Sequence, residues 1–487
     1  MVKKIFKYMA LPTIMSVAMP LISMAQTADS MAVDSAKVAA PVVAAVASIA
    51  KVDSGDTAWM IVATAFVLLM TIPGLALFYG GLVRRKNVLS VLMQCFILTA
   101  VITLEWVAFG YSNAFGSSTI AALKPYIGGF DWSFLSGISI NDLSPYFISH
   151  SQPTGKMIAD ATGKMIPEMI GTIPHIVFVL FQCMFAVITP ALIVGAFAER
   201  IKFRGFLIFS LLWAAFIYNP IAHWVWSADG WLFKMGALDF AGGTVVHINA
   251  GIAALVMTLL IGKRKNYVGR PTEPHNIPFV AIGAALLWFG WFGFNAGSGL
   301  AADALAGSAF LATHVATAAA ALSWALLEWV INKKPTVVGI CTGAVAGLVA
   351  ITPAAGFVTV GGAIIIGLLV SVVCYTMVAV VKAKLGYDDS LDAFGVHGIG
   401  GIFGALATGV LASPAIQAAY SGSFYGNSHQ FVIQLIAVGA TIAYTGIGTV
   451  ILFFITDKIF GVRATATEET TGLDISQHNE IAYSEEE

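Results

Sequence analysis

Charged residues and cysteines are scarce in this sequence. Of its 487 residues, 10% are charged, whereas a soluble domain carries about 25%. The cysteines show neither the spacing of a disulfide framework nor that of a metal site, so we interpret them as small apolar packing residues. They are Cys95, Cys183, Cys341 and Cys374. Because there is also no nucleophile–base pairing, a membrane enzyme is the least favoured class, and no cofactor or nucleic acid is expected.

Apolar residues, by contrast, make up 58% of the chain, and its mean hydropathy is +0.85. Soluble domains contain roughly 45–50% apolar residues, so the composition predicts an integral membrane protein. The 48 glycines suit close packing of helices in lipid. About eleven long apolar runs follow one another and predict transmembrane helices. The runs begin near residues 58, 88, 173, 205, 239, 277, 305, 336, 358, 394 and 430.

The distribution of Lys and Arg orients these spans. Basic residues cluster in alternate connections, which face the cytosol by the positive-inside rule. The clusters lie at 84–86, 200–204, 263–265, 333–334 and 382–384. The mature N-terminus therefore faces outward, the C-terminus lies in the cytosol, and the long connection 113–171 is exterior. We expect a multi-pass protein of the cytoplasmic membrane, in contact with the lipid bilayer.

The two ends of the chain differ from the apolar middle. Residues 1–25 are typical of a secretory signal, because lysines precede an apolar run and a small-residue cleavage site; a retained short anchor is the alternative. Residues 26–57 are predicted to form an exterior linker. The membrane domain then covers 58–456, and 457–487 form an acidic, polar tail in the cytosol.

An acid and an imidazole stand eight residues apart in the apolar stretch DFAGGTVVHINAG, at Asp239 and His247. Titratable groups inside spans are rare and usually mark an ion or substrate path. With eleven spans, the first five and the second five have opposite orientations, and inverted repeats of this kind place a path between the halves. Span ten should therefore hold a partner for His247, and it contains His397. We take Asp392, which precedes His397, as the counterpart of Asp239.

These residue types suggest different roles. Asp239 falls at a helix start, where a carboxylate is favourable, and we interpret it as a cap and tether. A single imidazole in an apolar helix is usually a packing residue. Two of them, His247 and His397, at repeat-equivalent depths favour a pore in which they hydrogen-bond a small solute or hold a proton. No Cys or third His at ligand spacing accompanies them, so no metal is expected.

Aromatic and hydroxyl side chains gather at the outer ends of spans four and six. Interfacial aromatic residues commonly form a membrane belt, yet a Trp face beside a hydroxyl also attracts a small cation. Phe185 and Phe294 are placed to form an apolar constriction that excludes hydrated ions. The pattern offers a bare alkali ion no oxygen cage. The favoured passenger is NH4+, which binds at the mouth and crosses the apolar part as NH3.

Several motifs resemble the ammonium transporter (Amt/Mep/Rh) family, on its bacterial Amt side. They are TIPGLALFYGGLVRRKNVLS, DFAGGTVVHINAG, GWFGFNAGS, FGVHG and GLDISQHNEIAY. The resemblance implies an all-α fold of eleven transmembrane helices, with an inverted repeat of five plus five and a final eleventh helix. It also implies a homotrimer with one pore per subunit, ammonium or ammonia as substrate with methylammonium as analogue, and a PII-type regulatory protein at the cytosolic tail.

The same resemblance implies roles for seven residues between the exterior and the middle of the membrane. They are Trp226, Ser298 and Phe185 at the exterior substrate site, Phe185 and Phe294 at the gate, His247 and His397 in the pore, and Asp239 as a structural and electrostatic residue.

Some assignments stay open. Trp224 and Trp231 compete with Trp226 for the cation face, because one residue more than the family spacing separates Trp226 from Asp239. Glu105 is interpreted as a buried acid, protonated or hydrogen-bonded to a neighbouring helix, with proton traffic as the alternative. For the whole chain, the alternatives are an ammonium sensor that signals through its tail and a facilitator of neutral gases. The Trp and Ser mouth favours a cation.

Overall fold

The computed structural model describes residues 50–160, 163–265, 267 and 273–483. Ten of its helices are long and apolar enough to cross a membrane, and one further apolar helix has 15 residues. These eleven helices agree with the predicted all-α architecture. The predicted signal, residues 1–25, lies outside the described residues.

Each of the eleven helices begins within four residues of the start predicted from the sequence. They are α1 (Ser54–Leu82), α2 (Arg85–Phe115), α3 (His175–Phe197), α4 (Phe203–Met235), α5 (Gly243–Ile261), α6 (Ile277–Gly297), α7 (Ala304–Asn332), α8 (Val337–Ile351), α9 (Val360–Leu385), α10 (Phe394–Leu411) and α11 (Ser428–Phe460). Two strands precede α3, and two short helical segments follow α11. They are β1 (Gln152–Ala159), β2 (Met165–Ile170), α12 (Ala466–Thr471) and α13 (Asp474–His478).

The first helix starts earlier than predicted. Asp53 caps it, because its side chain accepts a hydrogen bond from the Asp56 amide at 2.9 Å. The helix therefore begins at Ser54, and the last four residues of the predicted linker 26–57 are helical. A polar side chain at the cap satisfies one of the N–H groups that a helix start leaves without a partner.

The last apolar helix ends later than predicted, at Phe460, because Gly461 leaves the helical region with a φ of 68°. The tail therefore begins four residues beyond its predicted start. It folds back onto the first turn of α2, where the Asp474 carboxylate accepts from the amides of Leu89 at 3.1 Å and Ser90 at 2.8 Å. The tail is thus attached to the helix bundle through backbone groups.

The long connection between α2 and α3 contains a β-hairpin that the sequence pattern does not predict. Its strands pair antiparallel, with Ile158 opposite Ile166 and a register shift between Pro153 and Met157. The alternation of apolar and polar residues that marks a half-buried strand is missing here, since most side chains of β1 are exposed. Secondary structure in this segment therefore has no periodic signal.

Helices α5 and α10 cross with their backbones in contact. A Cβ atom on Gly251 would lie 2.2 Å from the Cα of Gly398, and one on Gly401 would lie 3.0 Å from the Cβ of His247. Each helix also opens with a π-helical turn that contains its histidine, His247 or His397. Glycine at the crossing is what allows the two imidazole-bearing turns to approach each other.

A largely buried ion-pair cluster joins four connections of the bundle, α1–α2, α3–α4, α5–α6 and α9–α10. The Arg264 guanidinium is 2.8 Å from Glu199 and 2.7 Å from Asp388, and both carboxylates have no exposed side-chain surface. Arg84 binds the other oxygen of Glu199 at 2.9 Å. Burial alone would raise the pKa of both carboxyl groups, but the guanidinium groups more than offset it and hold each pKa below its ordinary value.

Arg264→Gln is expected to destabilise the protein, because it leaves two buried carboxylates without their shared counter-charge. Removing one partner of a buried ion pair costs about 3–5 kcal/mol, and scanning fluorimetry in detergent should show the lower unfolding midpoint near neutral pH. In the parent, the depressed pKa values give stability that is present above the unfolded pKa of about 4 and is lost only below it. In the variant, loss of the Arg264 charge raises both carboxyl pKa values relative to the parent, so the carboxyls protonate at higher pH. The difference in unfolding midpoint between the parent and Arg264→Gln should therefore become smaller as pH falls from about 7 toward about 4.

Lys384→Gln is the matched control, since it removes one positive charge from an exposed residue of α9. Its unfolding free energy should stay within about 0.5 kcal/mol of the parent. A control that melts as low as Arg264→Gln, or a stability gap that does not change with pH, would contradict the assigned role of the cluster.

Candidate transport site

Two imidazoles face each other in the middle of the bundle. The rings of His247 and His397 have centroids 5.4 Å apart and planes 18° apart, and the residues are 1% and 3% exposed. Neither ring nitrogen of His247 nor Nδ1 of His397 has a hydrogen-bond partner among the described residues. A buried polar atom without a partner costs about 1–3 kcal/mol, so this arrangement suits a small polar solute that hydrogen-bonds the rings.

The His247 ring is held by its aromatic neighbours. It lies nearly parallel to Trp291, with centroids 5.4 Å apart and planes 20° apart, and Trp291 is fixed by a 2.8 Å hydrogen bond from Nε1 to Thr352. The Phe294 ring lies 6.0 Å away on the same helix as Trp291. The orientation of His247 therefore depends on packing against α6 and on its contact with His397.

An unbroken series of rings leads outward from the imidazoles. Phe294 meets Phe185 with centroids 4.4 Å apart, and Phe185 meets Trp226 edge-on at 5.6 Å. Both phenylalanines are at most 1% exposed, so they form an apolar constriction. We call this series the aromatic row. It consists of Trp226, Phe185, Phe294, His247 and His397.

Trp226 ends the aromatic row on the side away from the imidazoles, and Ser298 lies one helical turn after Phe294. The Trp226 indole donates to the backbone oxygen of Asp239 at 3.0 Å, which orients its ring. The Ser298 hydroxyl donates to the backbone oxygen of Phe294 at 2.8 Å, so its own lone pairs are directed away from that bond and can accept. An indole face and a hydroxyl acceptor at one mouth are the groups that a small ammonium ion can use.

The rival tryptophans lie elsewhere. The Trp224 ring packs on Tyr444 at 4.7 Å and on Trp231 at 5.6 Å, and its indole donates to the backbone oxygen of Tyr126. No ring contact links Trp224 or Trp231 to the aromatic row among the described residues. The helical turns of α4 break off after Trp226 and resume at Trp231.

Asp239 uses both carboxylate oxygens as a cap for α5. One oxygen accepts from Gly242 at 2.9 Å and Gly243 at 2.6 Å, and the other from Thr244 at 2.8 Å and Val245 at 3.1 Å. These are the N–H groups that a helix start leaves without partners. The geometry is that of a tether, and the Trp226 indole is bonded to the backbone oxygen of the same residue.

The counterpart of Asp239 in the second half is Asp389, which corrects the assignment of Asp392. Asp389 precedes His397 by eight residues, as Asp239 precedes His247, and its carboxylate accepts from the amides at the start of α10 at 2.8 and 3.1 Å. Burial raises its pKa although a nearby lysine opposes this. Asp392 has a positive φ of 61° and binds Lys382 instead, with Nζ 2.5 Å from Oδ1. The spacing of eight was the signal that identifies the cap.

A cavity of about 580 Å³ opens on the other side of His397. Its wall is formed by α1 and α6 to α10, and several polar groups lie on it. They include Tyr79, Glu328, Asn332, Lys382, Ser390 and Asp392. His397 therefore ends the aromatic row and also lines a wide compartment toward the end of the bundle where the tail is attached.

Glu105 in α2 and Glu328 in α7 are both bound to neighbouring groups. Glu105 accepts a hydrogen bond from the Asn219 side chain of α4 at 2.8 Å. It is thus a buried acid hydrogen-bonded to a neighbouring helix, as interpreted from the sequence. Its other oxygen has no partner among the described residues. Glu328 accepts from the amide of Thr336 at 2.7 Å and from its hydroxyl, just before α8 begins. Neither acid lies in the aromatic row.

Comparisons with known proteins agree with this geometry. The profile of the Ammonium Transporter Family matches residues 58–483. The chain is 46% identical over 430 residues to an ammonium transporter of Bacillus subtilis (strain 168), which covers 88% of this chain and 98% of the relative. It is 48% identical over 441 residues to an ammonium transporter of Aquifex aeolicus (strain VF5), which covers 90% and 96%.

Solved structures share the fold. A crystal structure of Saccharomyces cerevisiae Mep2 matches with a TM-score of 0.75 and 33% identity, covering 86% of this chain and 89% of that one. A structure described as a sensor Amt protein matches with a TM-score of 0.75 and 28% identity, covering 87% and 98%. With a profile match over most of its length and relatives 46–48% identical across nearly their whole chains, this multi-pass membrane protein belongs to the Ammonium Transporter Family.

Proposed function

We propose that this chain transports ammonium across the cytoplasmic membrane. NH4+ is recruited at the exterior mouth and loses its proton, NH3 is conducted along the aromatic row, and the proton is carried separately. The observation that carries the proposal is the continuity of the row, from a half-buried indole through two buried phenylalanines to the paired imidazoles. Membership of the family supports ammonium as the substrate.

The mouth is suited to the charged form of the substrate. The ring of Trp226 offers a cation–π contact of about 0.5–2 kcal/mol, and the Ser298 hydroxyl offers an acceptor for one N–H. The Asp239 carboxylate is occupied by four backbone amides, so we assign it no direct bond to the ion. Its negative charge behind the indole still favours a cation at this position.

Beyond the mouth, the path is suited to the neutral form. Phe185 and Phe294 lie in ring contact and are buried, so a passing ion would lose its hydration shell there, which costs several kcal/mol. NH3 carries no charge and loses only hydrogen bonds to water. His247 and His397 then supply ring nitrogens that hydrogen-bond it in the middle of the bundle.

Family resemblance and the basic connections also suggest how the protein is placed. We assign residues 1–25 to a signal, the mature N-terminus to the exterior and the tail to the cytosol, where a PII-type protein engages it. We further propose a homotrimer. His314 supports it, because this imidazole is exposed on α7 about 15 Å below the first residue of that helix. A polar ring at that depth is better covered by a neighbouring copy than by lipid.

Uptake of labelled methylammonium into cells that lack their own ammonium transporters tests the proposed function. The expected result is saturable uptake that ammonium competes with and potassium does not. Current recordings on reconstituted protein, with ammonium compared with potassium, show whether the proton crosses together with NH3. Normal expression of the intact protein without any uptake would contradict the proposal.

The double variant His247→Ala, His397→Ala should lose most of its transport. NH3 would cross without its hydrogen-bond partners, and if about 2 kcal/mol is lost, the rate falls roughly 30-fold. Size-exclusion chromatography should show an intact assembly. Among the described residues, both ring nitrogens of His247 and Nδ1 of His397 have no hydrogen-bond partner, so their removal breaks no hydrogen bond of the fold at these atoms. Uptake of ammonium at the parental rate, with potassium still excluded, would contradict the pore assignment.

Trp226→Leu should raise the KM for methylammonium about 2- to 30-fold, the range of a lost cation–π contact. The maximal rate should change little, because the constriction and the imidazoles remain. Trp231→Leu is the matched control, since it removes a rival indole that lies outside the aromatic row. A larger KM effect from Trp231→Leu than from Trp226→Leu would show that Trp226 does not provide the cation face.

Asp239→Ala should mainly reduce the yield of folded protein, because four amides at the start of α5 lose their acceptor. Each unsatisfied buried group costs about 1–3 kcal/mol. Asp389→Ala should show the same kind of loss through α10, and fluorescence-detected chromatography measures both. A well-folded but inactive Asp239→Ala protein would instead indicate a direct role of this carboxylate in conduction.

A further inference from the structure

The long exterior connection places one histidine against the membrane domain. His150 lies two residues before β1, and its Nδ1 is 3.0 Å from Asp56 in α1 while its Nε2 is 3.9 Å from Asp303, the cap of α7. The side chains of Asp56 and Asp303 are 3% and 12% exposed, and that of His150 is 45% exposed. We call these three residues the exterior clasp. Among the described residues, His150 is the one basic side chain within 4.0 Å of either carboxylate.

The exterior clasp is bonded directly to the turn that contains the mouth hydroxyl. The other oxygen of Asp56 accepts from the Ala302 amide at 2.8 Å, four residues after Ser298. Between them, Leu300 has a positive φ of 59°, a conformation that is uncommon for residues other than glycine. Such a conformation persists only where its surroundings hold it. Asp56 therefore helps to fix the turn on which Ser298 is presented.

The protonation state of His150 decides how it acts on the two acids. A neutral imidazole can donate one N–H to Asp56, whereas an imidazolium also carries a positive charge that attracts Asp303, whose oxygen lies 3.9 Å from Nε2. Asp56 and Asp53 face it from the start of α1, and Asp303 from the start of α7. The hydrogen bond to Asp56 raises the pKa of His150 above its ordinary value; burial opposes this, and the charges of the three acids add to it.

On the basis of the proposed function, we propose that His150 is a positioning residue for the exterior ammonium site. Its charged form closes the exterior clasp and fixes the turn that presents Ser298, and its deprotonation loosens that turn and weakens ammonium capture. Because deprotonation removes the imidazolium charge, the clasp is lost as the exterior pH rises through the pKa of His150. The long connection thus makes substrate affinity depend on exterior pH.

Kinetics of methylammonium uptake by the full-length protein test this role. KM and maximal rate are measured at exterior pH values from about 5.5 to about 8.5, where the substrate stays a cation because an alkylammonium, like the lysine side chain, titrates near about 10.4. In the parent, KM should rise about two- to fivefold with pH, the size expected for a partly exposed ion pair, while the maximal rate does not show this step. His150→Gln is neutral at every pH, so its KM should stay at the high alkaline value.

Two further variants separate the clasp from general effects of charge. His429→Gln removes an exposed imidazole at the start of α11, which lies on the same side of the bundle as the start of α1, and it should keep the parental KM step. Asp303→Asn still caps α7, since Asn and Asp cap equally well. It removes one negative charge beside His150, so the midpoint of the KM step should move to lower pH.

Identical KM profiles of the parent and His150→Gln would overturn the role of His150, as would an unchanged midpoint in Asp303→Asn. Saturable uptake would still be present in both cases, so the proposed function would stand. Absence of saturable uptake at every pH would instead overturn the proposed function itself.

Discussion

The bundle depends on how two buried helix starts satisfy their N–H groups. Inside a membrane protein, water does not replace a missing partner, and each unsatisfied backbone group costs several kcal/mol. Asp239 accepts from four amides of α5, and Asp389 accepts from two at the start of α10. Because both helices can then begin inside protein, their histidines lie in the first turns of the helices, at the centre of the bundle.

Close packing then determines what the two histidines can do. The backbones of α5 and α10 touch at Gly251 and Gly398, and this contact brings the imidazoles to 5.4 Å. Any Cβ at the crossing would separate the rings. Since both nitrogens of His247 are free of bonds to described residues, the rings present polar edges in a space that is otherwise lined by aromatic faces. The same glycines that suit lipid-embedded packing therefore keep the path narrow.

The sequence predicts the helices and the paired histidines well because both follow from periodic or repeated patterns. Eleven apolar runs need only hydropathy, and the inverted repeat pairs His247 with His397. The sequence pattern does not predict which of several neighbouring acids caps α10, because the backbone conformation decides this. In the segment DDSLD, Asp392 turns away to Lys382 because its φ is positive, and Asp389 takes the cap. The tail contact of Asp474 with α2 joins residues about 385 apart, and no local pattern reports such a contact.

In the proposed mechanism, the constriction would let one path accept ammonium and exclude potassium without an oxygen cage. Carrying any charge past Phe185 and Phe294 costs several kcal/mol of desolvation. Once the ion has left Trp226, its contacts with the aromatic rings offset little of this free energy. Ammonium has an alternative, since releasing its proton leaves a neutral molecule whose unmade hydrogen bonds cost about 1–3 kcal/mol each, and the imidazoles restore some of them. Potassium has no proton to release. In the proposed mechanism, selectivity therefore arises from the chemistry of the substrate, and the protein contributes an apolar barrier with hydrogen-bonding groups directly behind it.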